Sequence, residues 1–340
     1  MSIDRRRFLA LATGASGSAV GVALSGDAEA RQNHTMPDEA VGLLFDGTLC
    51  VGCRACMPAC KAANDMPPSL TPISQNGEPA DTLWDAPIDI SGETLNVIKV
   101  YADGTAAVKD REKDGFAFTK RSCLHCVDPS CVSACPVSAM TKDPVNGIVG
   151  YSVDACIGCR YCVAACPFGV PQFTFGGPVP KISKCQLCRH RTEDGAFSAC
   201  AEVCPTGATL YGKVKDLTAE IARRRALPPG SKTVFPRGRI GGDDSYVGTV
   251  GSYVDHVYGE HEIGGTQVLH LSGVPFELLG KGPLPDIAPA ANSETIQHAI
   301  YYGLIAPITF LGILVAAARR NMIAAGVEPP DVPPKTGGAS

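Results

Sequence analysis

The sequence contains few aromatic residues and none of the common catalytic motifs. Aromatic side chains make up 6% of its 340 residues, so a large core of packed rings is not expected. No P-loop, no dinucleotide-binding G-x-G-x-x-G and no H-E-x-x-H occurs, and no nucleophile stands beside a base in a recognisable pattern. These absences argue against nucleotide-dependent and hydrolytic enzymes, and we expect the chain to contain no catalytic residue.

Strong charge is also absent. The formal net charge is −4, so the sequence offers no basic surface for nucleic acid, and no nucleic-acid partner is expected. Its 37 glycines and 27 prolines are typical of a loop-rich protein. The length is sufficient for a sizeable core and two lobes.

Cysteine, in contrast, is abundant. All sixteen cysteines fall into four quartets. The third quartet has the spacing C-x2-C-x2-C-x3-C-P, which is the ligand run of bacterial ferredoxins. The first has that spacing without the proline, and the fourth has a long insert after its second cysteine. The four quartets are Cys50, Cys53, Cys56 and Cys60; Cys123, Cys126, Cys131 and Cys135; Cys156, Cys159, Cys162 and Cys166; and Cys185, Cys188, Cys200 and Cys204.

Three other interpretations of the cysteines were weighed, namely disulfides, structural zinc and thioredoxin-like redox pairs. None of them explains triplets with x2-x2-x3 spacing, followed by proline, in a set that leaves no cysteine over. The haem signature C-x-x-C-H is absent, because Val127, Arg160 and Arg189 follow the relevant pairs. The sequence therefore predicts four [4Fe–4S] clusters, and in a two-cluster ferredoxin the fourth thiolate of each run binds the neighbouring cluster.

The first thirty residues are typical of a twin-arginine signal peptide. Arg5 and Arg6 precede Phe8 and Leu9, a weakly apolar stretch follows, and Ala28-Glu29-Ala30 fits a cleavage site. Clusters are assembled in the cytoplasm, so a protein that carries them must cross the membrane already folded. We therefore expect export by the twin-arginine translocation machinery and a mature chain that starts at Arg31.

A second apolar stretch lies near the other end. Residues Ala299–Ala318 include no charged side chain and are long enough to span a hydrocarbon core of about 30 Å. Tyr301 and Tyr302 stand at one end and Arg319 and Arg320 at the other, which predicts a cytoplasmic C-terminus. The cluster domain would then be periplasmic and anchored in the inner membrane. Whether this helix docks a partner or only tethers the domain is left open.

The predicted fold class is α+β, with duplicated ferredoxin-like modules, a β-rich insert and one C-terminal transmembrane helix. Cys135-Pro-Val-Ser-Ala and Cys204-Pro-Thr-Gly-Ala are matching units that support the duplication. A helix is predicted over 216–227 with Asp216 as its N-cap, and 230–264 is predicted to be irregular. Strands are predicted over 43–45, 94–101, 115–120, 147–152, 208–211 and 267–272. The predicted segments are a signal peptide (1–30), a four-cluster domain (31–213) with an insert (61–122), an extension and linker (214–298), the membrane helix (299–318) and a disordered cytoplasmic tail (319–340).

At this point the sequence resembles the four-cluster iron–sulfur subunits of membrane-bound respiratory oxidoreductases. The stretches that carry the resemblance cover nearly all of the mature chain, and the cysteine motifs are specific to the superfamily. Two of these stretches, GGTQVLHLSGVP and SETIQHAIYYG, narrow the resemblance towards the hydrogenase members. The signal peptide and the single C-terminal span do the same. The stretches are LCVGCRACMPAC, CLHCVDPSCVSACPVSAM, CIGCRYCVAACPFGVP, CAEVCPTGA, GGTQVLHLSGVP and SETIQHAIYYG.

The resemblance implies how the sixteen cysteines bind the clusters. In that family the first and fourth quartets also exchange their last cysteines, so that each gives one ligand to the other's cluster. No cysteine is missing here, so four cubane clusters are expected. The implied sets are Cys50, Cys53, Cys56 and Cys204; Cys60, Cys185, Cys188 and Cys200; Cys123, Cys126, Cys131 and Cys166; and Cys135, Cys156, Cys159 and Cys162.

The resemblance also implies a function as a non-catalytic electron-transfer subunit. Electrons would pass from the small and large subunits of a periplasmic hydrogenase, through four clusters, to a polytopic quinone-reactive membrane subunit. The alternative is the iron–sulfur subunit of a membrane-bound formate dehydrogenase or a related molybdopterin oxidoreductase. An enzyme with its own substrate pocket would need a cofactor site that the sequence does not display. Cluster potentials, the order of electron flow and the oligomeric state do not follow from the sequence.

Overall fold

The computed structural model describes residues 30–68, 87–174 and 181–326. The predicted signal peptide, apart from Ala30, and the predicted tail beyond Gly326 lie outside these residues. Residues 32–291 form one compact unit, and residues 292–326 belong to a second. The mixture of short helices and strands confirms the predicted α+β class.

The first unit contains thirteen described strands and six described helices. The strands are β1 (Val41–Asp46), β2 (Val97–Ala102), β3 (Val108–Lys109), β4 (Gly115–Arg121), β5 (Met140–Lys142), β6 (Val149–Tyr151), β7 (Gln172–Phe173), β8 (Ile182–Ser183), β9 (Thr209–Lys213), β10 (Lys232–Pro236), β11 (Gly238–Arg239), β12 (Ser245–Thr249) and β13 (Val268–Leu271). The helices are α1 (Cys56–Ala63), α2 (Ser130–Ser133), α3 (Tyr161–Ala165), α4 (Arg189–Glu193), α5 (Ala199–Glu202) and α6 (Val214–Ala226).

A four-stranded sheet joins the beginning and the end of this unit. Its order is β11-β9-β1-β13, with β1 antiparallel to β9 and parallel to β13. The strand β1 has the sequence VGLLFD, and its residues from Gly42 onwards are buried. A strand covered on both faces is expected to be apolar, as this one is up to the buried Asp46 at its end. The strands predicted at 43–45, 208–211 and 267–272 therefore exist and lie side by side.

The predicted insert contains a three-stranded sheet with the order β2-β4-β3. Strands β2 and β4 are antiparallel, and their register pairs Ile98 with Lys120. This agrees with the two strands that the sequence predicts at 94–101 and 115–120. The short strand β3 was not predicted, and it pairs with β4 in the parallel direction.

Two local predictions in the C-terminal extension are wrong. Residues 230–264 are not irregular throughout, because β10 and β12 form an antiparallel hairpin there. The inward side chain of that hairpin is Phe235, which is fully buried in the core. Helix α6 starts at Val214 after an N-cap at Lys213, so Asp216 lies in its first turn and does not cap it. A carboxylate in the first turn still favours the helix through its dipole.

The second unit contains helix α7 (Pro289–Ala324), which begins within the first unit. It extends beyond the predicted span of 299–318 at both ends. It is the one helix of the described residues that is long and apolar enough to cross a membrane, and none of its most apolar window is buried.

Candidate metal centres

The first turn of each cysteine quartet has the same backbone conformation. The residue before the second cysteine has a positive φ in all four cases, although two of these residues are not glycine. The φ angles are 69° for Gly52, 50° for His125, 72° for Gly158 and 51° for Leu187. A left-handed residue at this point curls the loop so that its own N–H faces the first cysteine. The N–H of Gly158 donates to Cys156 Sγ at 3.4 Å, and that of Leu187 donates to Cys185 Sγ at 3.4 Å.

The proline that follows the last cysteine of three quartets introduces a second shared turn. Two residues after the proline stand Ser138, Gly169 and Gly207, each with a positive φ. The chain then turns back, and the N–H groups of Met140 and Thr209 donate to the sulfurs of Cys135 and Cys204 at 3.5 and 3.4 Å. At Gly207 a Cβ would lie 2.3 Å from the carbonyl oxygen of Pro236, so only glycine fits. Lys61 replaces this proline in the first quartet, and there α1 continues to Ala63.

Three groups of four cysteines each surround a small cavity. In every group three cysteines come from one quartet and the fourth from another. Each cavity is small and is open to solvent on one side. The groups are Cys50, Cys53, Cys56 and Cys204 for site A, Cys60, Cys185, Cys188 and Cys200 for site B, and Cys135, Cys156, Cys159 and Cys162 for site D.

The remaining four cysteines, which we call site C, are also neighbours. Burial raises the pKa of the Cys126 thiol well above its ordinary value, and the nearby Cys123, Cys166 and Cys131 raise it further. Burial likewise raises the pKa of Cys131 to about 12, with Cys123 among the other causes. The cavities therefore group twelve cysteines in three of the combinations that the family resemblance implies, and the mutual influence of the other four matches the fourth combination.

The four sites follow one another in a line. Besides burial, Cys200 of site B raises the pKa of Cys56 of site A, to about 12. In the same way Cys123 of site C raises the pKa of Cys185 in site B. Between the other two sites, Cys162 of site D raises the pKa of Cys131 in site C. Because these influences act over short distances, the order is A, B, C and D.

Buried lysines lie between successive sites. Lys184 is 3% exposed, and its ammonium donates to the carbonyl oxygen of Cys185 at 3.0 Å and lies 4.0 Å from Cys123 Sγ. Lys120 is 1% exposed, lines the cavity of site B and donates to Thr209 Oγ1 at 3.4 Å, while Thr209 lines site A. Burial opposes the charge of Lys120, but the thiolates around it outweigh this effect and raise its pKa. The sequence predictions missed Lys120, because a lysine near the end of the strand GFAFTK looks like a surface residue until the fold is known.

The two ends of the line reach the surface. Cys53 of site A and Cys159 of site D are the two exposed cysteines. The side chains beside them are apolar and exposed, with Val51 57% accessible at site A and Ile157 65% accessible at site D.

A buried ionic network fixes the loop that leads into site A. Asp46 at the end of β1 is fully buried, and its carbonyl oxygen accepts from the N–H of Cys50 at 3.1 Å. Its carboxylate accepts from Arg224 at 2.9 Å, from Tyr253 at 2.9 Å and from the Thr48 hydroxyl at 2.7 Å. Helix α6 thereby holds the first ligand loop from the opposite side of the sheet.

The donor sets fit cubane iron–sulfur clusters. All sixteen cysteines are described, and each is a free thiol. Among the described residues no group of three or more Cys, His, Asp or Glu side chains is close enough to hold a single ion. Four thiols that converge on one small cavity, with N–H groups directed at several of the sulfurs, match a polynuclear cluster and its usual hydrogen bonds.

Known proteins resemble this chain over most of its length. A family described as "4Fe-4S dicluster domain" matches residues 115–214. The hydrogenase-2 operon protein HybA of Escherichia coli O157:H7 is 41% identical over 323 residues, which cover 94% of this chain and 96% of that protein. The formate dehydrogenase-O iron–sulfur subunit of Escherichia coli K12 is 30% identical over 294 residues, which cover 86% of this chain and 85% of that protein.

Proposed function

Because the chain belongs to the family that includes the hydrogenase-2 operon protein HybA and the iron–sulfur subunits of formate dehydrogenases, we propose that it relays electrons in a membrane-bound hydrogenase complex. Its cofactors are four [4Fe–4S] clusters. The proposed partners are the small and large subunits of a periplasmic hydrogenase and a polytopic quinone-reactive membrane subunit. The chain itself performs no catalysis in this proposal. The observation that carries it is the identity of 41% with HybA over nearly the full length of both chains.

We propose sites A, B, C and D as the four ligand sets. The crossed grouping of the cysteines around the cavities supports this assignment for sites A, B and D. For site C the support is the mutual influence of its thiols. The bound clusters supply one-electron carriers whose potentials depend on hydrogen bonds to sulfur, local charge and exposure to solvent.

The residues of the chain hold these carriers in order and isolate the middle of the line. Most cysteines of sites B and C are buried, so electrons would enter and leave only at the exposed Cys53 and Cys159 ends. Backbone N–H groups donate to the sulfurs, and Lys120 and Lys184 place positive charge between adjacent sites. A relay requires this arrangement, whereas an enzyme would require a bound substrate next to a reactive side chain.

We propose that site D faces the membrane partner and site A the hydrogenase. The peptide that leads into α7 leaves the first unit at Ala291, and Ala288 N–H donates to Asn33 Oδ1 at 2.9 Å. Asn33 packs against Gly264, and the neighbouring Gly265 accepts from the N–H of Val127, beside the ligand Cys126. Ala288, near the end of the first unit, is thus linked through Asn33 and Gly264-Gly265 to the residue beside a ligand of site C, which supports this direction. The export route and the periplasmic side remain part of the proposal.

The ligand exchange is tested by replacing Cys60 with serine in the full chain. Cys60 lies in the first quartet, but the proposal assigns it to the cluster of Cys185, Cys188 and Cys200. Electron paramagnetic resonance should therefore show a changed signal that coincides with the one altered by Cys188→Ser. If the changed signal instead coincides with the one altered by Cys53→Ser, the exchange is wrong.

The partner is tested by isolating the complex from the membrane. Co-purification with a hydrogenase and hydrogen-dependent quinone reduction would support the proposal, and co-purification with a formate dehydrogenase would support the alternative. That alternative is favoured by the 30% identity with the formate dehydrogenase-O subunit. Dye reduction with hydrogen or formate by the pure chain would contradict a relay without catalysis.

A further inference from the structure

Site B differs from sites A and D in the polarity of the side chains around it. Besides its four cysteines, its cavity is lined by six polar side chains, whereas sites A and D have three and two. The six residues at site B are Asn64, Asn96, Lys120, Ser122, Gln186 and Ser198. Site B is also within the line, where most of its cysteines are buried, so protein groups and not water determine its electrostatics.

One of these groups, the Ser122 hydroxyl, is a buried donor without a protein acceptor among the described residues. Ser122 is 3% exposed. Asn64 Nδ2 donates to the carbonyl oxygen of Cys60 at 2.7 Å and also lies 3.8 Å from Cys60 Sγ. A buried hydroxyl without a partner costs about 1–3 kcal/mol, so its retention at this position requires an acceptor. The sulfurs of a cluster in site B are the acceptors that the cavity would supply.

Lys120 adds a full positive charge at the same wall. Its neighbours Lys99 and Arg121 share the carboxylate of Asp89, whereas Lys120 has no ion-pair partner in the described part of the chain. Lys120 and Ser122 are two residues apart, so they extend from the same face of the strand and its continuation. The cross-strand partner of Lys120 is Ile98, which lines site A, so the lysine stands between the two sites.

We propose that Lys120 and Ser122 raise the reduction potential of the cluster in site B, so that it retains the electron when the chain is partly reduced. This inference rests on the proposed ligand sets. A positive charge and hydrogen bonds to sulfur both stabilise the additional electron of the reduced cluster. Site B is then the electron reservoir of the line. Electrons that arrive singly at one end are stored there until the partner at the other end accepts them.

The test is a redox titration of the full chain, purified anaerobically and followed by electron paramagnetic resonance. The signal of site B is identified as the one altered in Cys188→Ser. In the wild type this signal should appear at the highest potential of the four. In Lys120→Met the equilibrium constant for reduction of the cluster in site B should fall at least tenfold, which corresponds to a potential lower by about 59 mV for a one-electron couple. Lys120→Arg keeps the charge, so its site B potential should stay close to that of the wild type. Ser122→Ala should lower the site B potential by less than Lys120→Met does.

The control is Lys99→Met, because Lys99 lies on the same sheet but is partly exposed, paired with Asp89 and absent from the cavity of site B. Its four potentials should equal those of the wild type. An unchanged site B signal in Lys120→Met, or an equal shift of all four signals, would overturn the inference. If Lys120→Met does not retain its iron, Ser122→Ala alone decides the matter, and an unchanged potential in that variant refutes the proposal. The titration needs no partner subunit, so its outcome is independent of whether a hydrogenase complex is found.

Discussion

The buried network at the entrance to site A makes a quantitative prediction about stability. Arg224 and Asp46 are both 0% exposed and are joined at 2.9 Å, and Arg224 also donates to Glu220 at 2.8 Å. Replacing Arg224 with methionine keeps most of the apolar stem but leaves the Asp46 carboxylate without its cation. Breaking a buried ion pair in this way costs about 3–5 kcal/mol. Tyr253 and Thr48 still donate to Asp46, so we expect a value near the lower limit, about 3 kcal/mol.

Arg223 provides a matched control on the same helix. It also donates to Glu220, at 2.7 and 2.8 Å, but its side chain is 40% exposed. Exposed ion pairs contribute about 0–1 kcal/mol, so Arg223→Met should cost at most that amount. The two substitutions remove the same chemical group from neighbouring positions. The difference between their free energies of unfolding therefore reports the buried ion pair that Arg224 makes with Asp46.

The assay is urea unfolding of the full chain in detergent, followed by far-ultraviolet circular dichroism and by cluster absorbance at equal iron content. Because a protein with bound clusters need not unfold in two states, the midpoints of the three proteins are compared at a common slope. The midpoint should fall for Arg224→Met and stay close to that of the wild type for Arg223→Met. Since the carbonyl oxygen of Asp46 accepts from the N–H of Cys50, part of the cluster absorbance should be lost at lower urea in Arg224→Met than in Arg223→Met. Equal midpoints for the two variants would refute the argument from burial.

Three further outcomes are expected. Anaerobically purified protein should contain about sixteen iron and sixteen sulfide per chain, and zinc or disulfides in their place would contradict the cluster assignment. Changing Arg5 and Arg6 to lysine should leave folded, cluster-loaded protein in the cytoplasm, as fractionation would show, and undiminished export would contradict the predicted signal. Deleting residues 294–340 should release a soluble periplasmic protein that keeps its clusters but no longer supports hydrogen-dependent quinone reduction. Full activity of that form would reduce the apolar helix to a dispensable tether, and retention on the membrane without a partner would contradict a single anchor.

The cysteine spacing in the sequence was sufficient to identify the four ligand loops as repeats, because the conformation of such short loops is encoded locally. The turn before the second cysteine and the turn after the proline each span a few residues, and both recur in the repeats. The strands at 43–45, 115–120 and 267–272 were likewise visible as short apolar or alternating runs. The crossed sets were different, because no local pattern states which distant quartet supplies the fourth ligand. That assignment came from the family resemblance, and the structure offers cavities that match it.

The features that the sequence did not reveal are those that depend on tertiary contact. The hairpin of β10 and β12 was missed because its strands are short and exposed, with Phe235 as the one fully buried side chain. Asp216 was predicted to be a cap because the N-cap preference is a local rule, whereas the helix begins earlier, where Val214 N–H donates to Ala40 O at 2.8 Å. Lys120 could not be distinguished from a surface lysine, since only the fold directs it between two sites.

The crossed ligand sets also have a consequence for assembly. In the proposed ligand sets, Cys204 completes site A with three cysteines of the first quartet. Cys60 completes site B with three cysteines of the fourth quartet. Neither cluster can then be completed before the two ends of the domain have met. The parallel strand β13 and the antiparallel strand β9 flank β1, so the same meeting also forms the central sheet. Cluster binding and sheet formation should therefore stabilise each other, because each contributes free energy only to the state in which both ends are together.

A chain without iron should consequently lose the order of β1 and β9 before that of the local β2 and β4 pair, and hydrogen exchange of their amides would measure the difference.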